Sequence, residues 1–311
     1  MDAEGSPDVA PGSARRPASR ELDAVLDLIV DQQSRPDRNA PSLGVSRPGV
    51  LSELQALDPA WADTVRVVDG SDGVLGAVVA EWDVGSRFGH VHGPWVAVDD
   101  DEWVGWARVL VDVALAQIPS EVTRRVLSGV AQHRCLAALA GQMGWQASEP
   151  NHVLVAAAEV IGSWPTEARG HALCPMASDD VDAVAELHDV EFPATYFSAE
   201  QLAARSTSGD QVVLVAHGVG GSILGYVAGQ IQPDGDAYID FVAVAPTARR
   251  AGLGRQLVAA LCRALVPAST TGRVCLTVQD RREPAIALYE AMGFESEMVM
   301  VGYEAPRTSD M

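Results

Sequence analysis

Positive charge is scarce in this sequence. Lysine and arginine together number 22 against 42 aspartates and glutamates, for a formal net charge of −20 and an isoelectric point near 4.6. Nucleic acid and anionic lipid would be repelled by most of such a surface, so neither is expected as a partner, and a cationic molecule is the easier one. Cysteine is scarce too: Cys135, Cys174, Cys262 and Cys275 are far apart and form no Cys-x-x-Cys pair. Each sits in or beside an apolar stretch, which points to buried free thiols rather than disulfides or metal ligands. No apolar run reaches the roughly 20 residues of a membrane span. The start, "MDAEGSPDVAPGSARRPASR", lacks the apolar core of a signal peptide and reads as a disordered tail over residues 1–19. The expected compartment is the cytoplasm.

A chain of 311 residues is long enough for two cores of roughly 150 residues each. An internal repeat supports that division. "AIALYEAMGF" (285–294) resembles "LAALAGQMGW" (136–145), and "DFVAVAP" (240–246) resembles "GPWVAVD" (93–99). Gly293 then matches Gly144 and Val244 matches Val98, at the nearly equal offsets of 149 and 146 residues. Two copies of one fold, 20–162 and 168–306, joined near "GSWPTEARG", explain both matches.

The second copy can be read element by element. "DVDAVAELHDV" (180–190) has apolar residues at helical spacing, and "QVVLVAHG" and "ILGYVAGQIQ" are β-rich runs around a "GVGGS" turn. "DAYIDFVAVAP" is a strand ended by Pro246, and residues 238, 240, 242 and 244 would share one of its faces. Leu257, Val258, Leu261, Cys262 and Leu265 form one face of a helix over 253–265. "RVCLTVQ" (273–279) is a further strand. Asp280 and Glu283 have capping-box spacing before Pro284, so a helix starts there and stops near Gly293. This order gives a mixed α/β fold, a layer of helices around one sheet.

Between the strand and the 253–265 helix lies "ARRAGLGRQL" (248–257). A glycine-containing turn at a helix N-terminus offers free amides and the positive end of the helix dipole, an arrangement that holds an anion. Gly252 and Gly254 allow close approach, and Arg249, Arg250 and Arg255 can add charge-assisted contacts to phosphate oxygens. The competing reading is a solvated helix start with arginines facing water. Arginine is unfavourable against the dipole at that end, so three of them ask for a compensating anion. The Gly-Lys-Ser/Thr of a nucleotide P-loop and the Gly-x-Gly-x-x-Gly of a dinucleotide fold are both absent.

Arg249-x-x-Gly252-x-Gly254, preceded by "VAVAP" and followed by "AIALYEAMGF", resembles the GCN5-related N-acetyltransferases (GNAT). The likeness is good over about 168–305 and degraded over about 20–160. It implies two tandem domains, each a twisted, mostly antiparallel sheet flanked by helices. It implies acetyl-coenzyme A as co-substrate, with the pyrophosphate held by Arg249, Arg250, Ala251, Gly252, Leu253, Gly254 and Arg255. It further implies that the backbone of Val242 to Val244 meets the pantetheine arm and that Tyr289 protonates the departing thiolate. The family often has asparagine just before this last helix, where this sequence has Arg281 and Arg282.

An amine must lose a proton before it attacks a thioester, which costs about 4 kcal/mol at neutral pH from a pKa near 10. A carboxylate can take that proton. Asp240, on the strand before the loop, and Glu191, in the first inter-helix turn, are the candidates. "EFPATY" (191–196) resembles the Phe-Pro-x-x-Tyr turn of protein N-terminal acetyltransferases, which implies Phe192, Pro193 and Tyr196 as acceptor-binding residues. The acceptor is then a small cationic molecule or a peptide N-terminus. The two-copy arrangement also resembles mycothiol synthase. An acyl-coenzyme-A sensor without turnover is the alternative of another class, and a monomer or homodimer is expected.

In the first copy, Glu102-x-x-Gly105-x-Ala107 replaces the arginine-led motif within "VDDDEWVGWAR" (98–108), and Ala140 stands at the position matching Tyr289. A run of acids would repel a pyrophosphate. The first copy is therefore expected to be non-catalytic. His90 and His92 share a strand face there, but no carboxylate or thiol lies at suitable spacing, so no metal is expected. The remaining histidines suggest no triad.

Overall fold

Alternating apolar runs become strands and 3.6-residue repeats become helices in the computed structural model, which describes residues 13–41, 43–165, 171–193, 195 and 197–306. The described residues divide into two compact units, one within Met1–Pro150 and Met298–Met311, the other within Asn151–Glu297. The first contains α1 (Leu22–Gln33), α2 (Arg47–Gln55), α3 (Trp61–Thr64), β1 (Arg66–Gly70), β2 (Gly73–Asp83), β3 (Phe88–Val96), α4 (Asp100–Gln117), β4 (Arg124–Val130), α5 (Arg134–Gln142) and β5 (Gln146–Ala147). The second contains β6 (Asn151–Ala157), α6 (Ala158–Gly162), β7 (Leu173–Pro175), α7 (Val181–Glu191), α8 (Ala199–Ser208), β8 (Val212–His217), β9 (Ile223–Ile231), β10 (Ala237–Val244), α9 (Leu253–Leu265), β11 (Arg273–Gln279) and α10 (Glu283–Glu290). A last strand, β12 (Glu295–Glu304), carries the chain into the first unit from Met298.

The strands of each unit follow one plan. In the first the order is β1-β2-β3-β4-β12, and in the second β7-β8-β9-β10-β11-β6. Among the strand pairs within each unit of the described residues, β3–β4 and β10–β11 run parallel and the others antiparallel. This is the mixed, mostly antiparallel architecture that the resemblance implies. The final strand of each copy is exchanged: β6, from the first copy, pairs with β11, while Met300–Glu304 pair with Val126–Val130 of β4. The units therefore depart from the continuous spans 20–162 and 168–306, because alternation marks a strand without saying which sheet it joins. Leu154 and Ala156 are buried in the second core, Val301 and Tyr303 in the first.

Several local expectations change. The ordered chain begins before residue 20: Arg15 exchanges backbone hydrogen bonds with Val67, and its guanidinium meets Glu21 and Asp69. Residues 1–12 lie outside the described residues. Trp164, placed in the joining segment, donates from Nε1 to the Met292 carbonyl at 2.9 Å within the second unit. Helix α8, implied in the sequence only by the inter-helix turn assigned to Glu191, starts at a capping box closed by Ser198 and Gln201. The box expected from Asp280 and Glu283 does not form. Arg282 is the N-cap of α10, without a side-chain cap, and the Asp280 carboxylate meets His152 Nε2 at 2.8 Å. Three cysteines are buried free thiols, but Cys174 is half-buried. Its Sγ lies 3.3 Å from His217 Nδ1, and His217 Nε2 lies 2.7 Å from Asp180 Oδ1, a triad-like alignment across β7, β8 and the start of α7.

Helix α9 lies over β8, β9 and β10 with Leu257, Val258, Leu261, Cys262 and Leu265 buried against them. Close approach depends on Gly229, where a Cβ would stand 2.8 Å from Leu261 Cδ2 and 2.4 Å from the Tyr238 carbonyl. Residues of α7 and α8 cover the opposite face around Val213, Val215, Tyr226 and Phe241.

The strand exchange predicts what a shortened chain loses. Deleting residues 298–311 should strip hydrogen-exchange protection from β4 and remove Val301 and Tyr303 from the first core, at about 1.5–3 kcal/mol for each buried side chain of that size. Strands β9 and β10 should keep their protection. Unchanged exchange in β4 would contradict the pairing.

Candidate active site

Strands β10 and β11 pair at only three positions, Ala237 with Val274, Tyr238 with Cys275 and Ile239 with Leu276. Both strands continue, β10 to Val244 and β11 to Gln279. Past Ile239 and Leu276 the ladder between β10 and β11 stops and the strands part. A cleft of about 490 Å³ opens in that gap. Asp240, Phe241 and Val242 line it from β10, Thr277 to Gln279 from β11, and Glu191, Phe192 and Pro193 from the end of α7. Arg281, Arg282 and Tyr289 complete the wall.

The opening begins at a β-bulge. The register of β10 against β9 slips between Ile239 and Phe241, leaving Asp240 as the extra residue. The slip changes which side chains share a face. Ala237 and Ile239 pack in the core beneath α9 and so do Val242 and Val244, whereas Phe241 and Ala243 pack toward α7 and α8. Residues 238, 240, 242 and 244 therefore do not all point one way, as strict alternation required. Through this twist the cleft is lined from both faces of the sheet.

The three candidate catalytic groups all line it, in different surroundings. Asp240 is half-buried; its Oδ2 accepts from Gln211 Nε2 at 2.7 Å and its Oδ1 from Gln230 Nε2 at 3.1 Å. Gln230 in turn accepts from Arg205 at 2.8 Å. Glu191 is held by two guanidiniums: Arg249 bonds its Oε1, and Arg282 lies 3.5 Å from its Oε2 and donates to its backbone carbonyl at 2.6 Å. Tyr289 is buried among Cys262, Tyr238 and Arg282, and burial pushes its pKa well above the ordinary tyrosine value. It is a neutral phenol at physiological pH.

Phe192 forms an aromatic corner, with its ring 5.0 Å from Phe241 and the Arg282 guanidinium 5.4 Å above it. Beneath, the buried His188 bonds the Tyr226 hydroxyl through Nδ1 and meets the Phe197 carbonyl through Nε2. The latter partner is a carbonyl at 2.7 Å, so His188 Nε2 is the donor. Pro193 is exposed at the rim. Tyr196 lies outside the described residues. Sequence reasoning missed Gln211, Gln230 and Tyr238, which reach the cleft or its aspartate through cross-strand register; the pairing of Gln230 with Tyr238 was not visible in local spacing.

The arginine loop follows directly. A 3-10 turn at Pro246–Ala248 leads to Arg250 and Gly252, both in the left-handed region at φ 65° and 82°, and α9 starts at Leu253. Glycine suits the second of these because a Cβ is strained there. No backbone carbonyl among the described residues takes the amides of Arg250 to Arg255. Ala251 and Gly252 are exposed and Leu253 is buried. Gly254 is half-buried, where a Cβ would stand 3.3 Å from Leu288. Arg250 is exposed, Arg255 bonds the Ala291 carbonyl at the end of α10, and Arg249 also bonds the Val244 carbonyl. The loop thus has an amide-rich turn and positive charge, a fit for a pyrophosphate.

In the first unit the equivalent connection is short. Strand β3 ends at Val96 and α4 begins at Asp100. Glu102, Gly105 and Ala107, which the repeat aligned with the loop, lie inside α4 rather than in a turn. Ala140 is buried on α5.

Residues 181–294 match the model of the acetyltransferase (GNAT) family. The second unit carries a GNAT domain. No curated protein sequence matches the chain. Among solved structures, a GCN5-related N-acetyltransferase from Sphaerobacter thermophilus is similar at 17% identity and a TM-score of 0.66, over 96% of this chain and 98% of that one. A tandem GNAT protein from the clavulanic acid biosynthesis pathway is similar at 19% identity and a TM-score of 0.59, over 95% and 97%. A glucosamine N-acetyltransferase region of a fungal multi-domain β-N-acetylglucosaminidase aligns at 16% identity and a TM-score of 0.61, over 95% of this chain and 38% of that one. At these identities the structures show the fold, and the family match over residues 181–294 supports acyl transfer in general terms. No helix among the described residues is long and apolar enough to cross a membrane.

The GNAT domain makes a spectroscopic prediction. The ultraviolet difference titration of wild type minus Tyr289→Phe should show no phenolate signal up to pH about 10, the ordinary tyrosine midpoint. A phenolate step at or below that pH would mean that Tyr289 is not held neutral by burial.

Proposed function

We propose that the GNAT domain moves an acetyl group from acetyl-coenzyme A to a primary amine on a small cationic molecule or a peptide N-terminus, by direct attack of the amine. The observation that carries this reading is the cleft between β10 and β11, which joins Asp240 and Tyr289 and lies beside the amide-rich arginine loop. The co-substrate supplies a thioester carbonyl open to nucleophiles. Arg250 to Arg255 would hold its pyrophosphate, and the edge of β10 near Val242 and Val244, past the end of its ladder with β11, would receive its pantetheine arm as an added strand.

Asp240 is the base we favour. Its carboxylate is bonded by the neutral amides of Gln211 and Gln230, whereas both carboxylate oxygens of Glu191 are engaged by the guanidiniums of Arg249 and Arg282. Asp240 takes the ammonium proton, directly or through water, and Tyr289 returns a proton to the sulfur as the carbon–sulfur bond breaks. Glu191 instead fixes Arg249 and Arg282 at the cleft. The acidic surface and the Phe192 corner suit a cationic acceptor. The first unit, with its short acidic connection, is read as non-catalytic.

Calorimetric titration with acetyl-coenzyme A should give one site per chain, and a thiol-release assay across an amine panel should then reveal turnover. Asp240→Asn should retain binding and slow turnover by about 10²–10⁴-fold. Binding with no transfer to any amine would favour a sensor, two sites would assign a ligand to the first unit, and no binding would overturn the proposal.

A further inference from the structure

Glu81, His90 and His92 converge on one face of the β2–β3 pair in the first unit. Each offers a donor atom, and the three atoms lie within 4.8 Å of one another. The carboxylate comes from the neighbouring strand: Glu81 stands directly opposite His90 in the antiparallel register. His92 Nε2 lies 2.9 Å from Glu81 Oε2, and the two imidazole rings are 4.2 Å apart. The Ser128 hydroxyl, 3.1 Å from His90 Nε2, steadies that ring from β4. His92 is buried, while His90 and Glu81 are half-buried.

We propose that these three residues form a binding site for a zinc-class divalent cation. Two imidazole nitrogens with one carboxylate oxygen is a donor set that suits zinc, whereas magnesium and calcium favour oxygen alone. Zinc bonds of about 2.0–2.2 Å require the donors to draw closer than they stand, by rotation about side-chain torsions while the strands stay in register. Three protein ligands leave a fourth position for water. A surface cleft lined by Asp58, Asp83 and Phe88 reaches Glu81 and offers an acidic path for a cation. Bound there, the ion would tie β2 to β3 independently of the chemistry in the second unit.

The test uses the full chain, stripped with a chelator, dialysed and titrated with zinc chloride by calorimetry. One zinc per chain is expected, with affinity at least about tenfold weaker in Glu81→Gln and in His92→Gln, and a zinc-dependent rise in Tm that these variants lose. Circular dichroism of the zinc-free variants checks folding; should either fail to fold, His90→Gln replaces it. Cobalt substitution identifies the donors. An absorption spectrum without thiolate-to-metal charge transfer supports nitrogen and oxygen ligands, and a thiolate band would move the ion to a cysteine and overturn the proposal. Absence of stoichiometric binding, or full affinity in the folded variants, would overturn it equally.

Discussion

Three paired positions decide the architecture of the second unit. Parallel strands gain hydrogen bonds at each residue they share, so β10 and β11 would be expected to stay together for their whole length. They separate after Ile239 and Leu276 because the bulge at Asp240 rotates β10 while β9 keeps hold of its other edge. The cost is the β10–β11 ladder past Ile239. The gain is a gap through the sheet, with Asp240 and Phe241 set toward α7 and Val242 toward α9. Every candidate group in the cleft takes its place from that divergence.

The first unit shows the same plan put to another end. Strands β3 and β4 also pair in parallel over a short stretch, Phe88–Val91 with Arg124–Leu127, and both run on. Here protein supplies the partners. The Val130 amide donates to the Asn39 carbonyl at 3.3 Å, Arg38 lies over Trp103 and bonds Asp100, and Trp95 donates to Gln33 at 3.0 Å. Trp95, Trp103 and Arg38 are buried, so protein side chains fill this part of the first unit. The shortened connection to α4, with acids in its first turn, agrees with that loss: those carboxylates suit the helix dipole and oppose a phosphate.

The sequence was most legible where one physical signal decided the outcome. The α9 and β11 limits follow the apolar pattern at residues 253–265 and 273–279, and the arginine loop lies where glycine and helix start put it. It was least legible where register or sheet membership mattered. A bulge is one extra residue without a composition of its own, so Asp240 could be singled out while the faces of Val242 and Val244 could not. The same limit hid Glu81 from His90 and His92: nine residues of sequence separate Glu81 from His90, and only the β2–β3 pairing closes the distance. Exchange of the final strands was hidden for a related reason, since β6 and β12 have the alternation of strands in either sheet.

The kind of positive charge in the chain adds a constraint of its own. All 22 basic residues are arginines; there is no lysine. Arginine suits a loop for phosphate because its planar fork donates in two directions and stays charged at any physiological pH. A lysine in the cleft, where Arg281 and Arg282 stand, would be a primary amine near the proposed thioester, able to lose its proton and accept the acyl group itself. Guanidinium, with a pKa above about 12, does not offer that free nitrogen. In a domain whose proposed chemistry is amine acylation, the arginines can therefore bind the donor without competing for its acyl group, which leaves the cleft to an amine brought from outside.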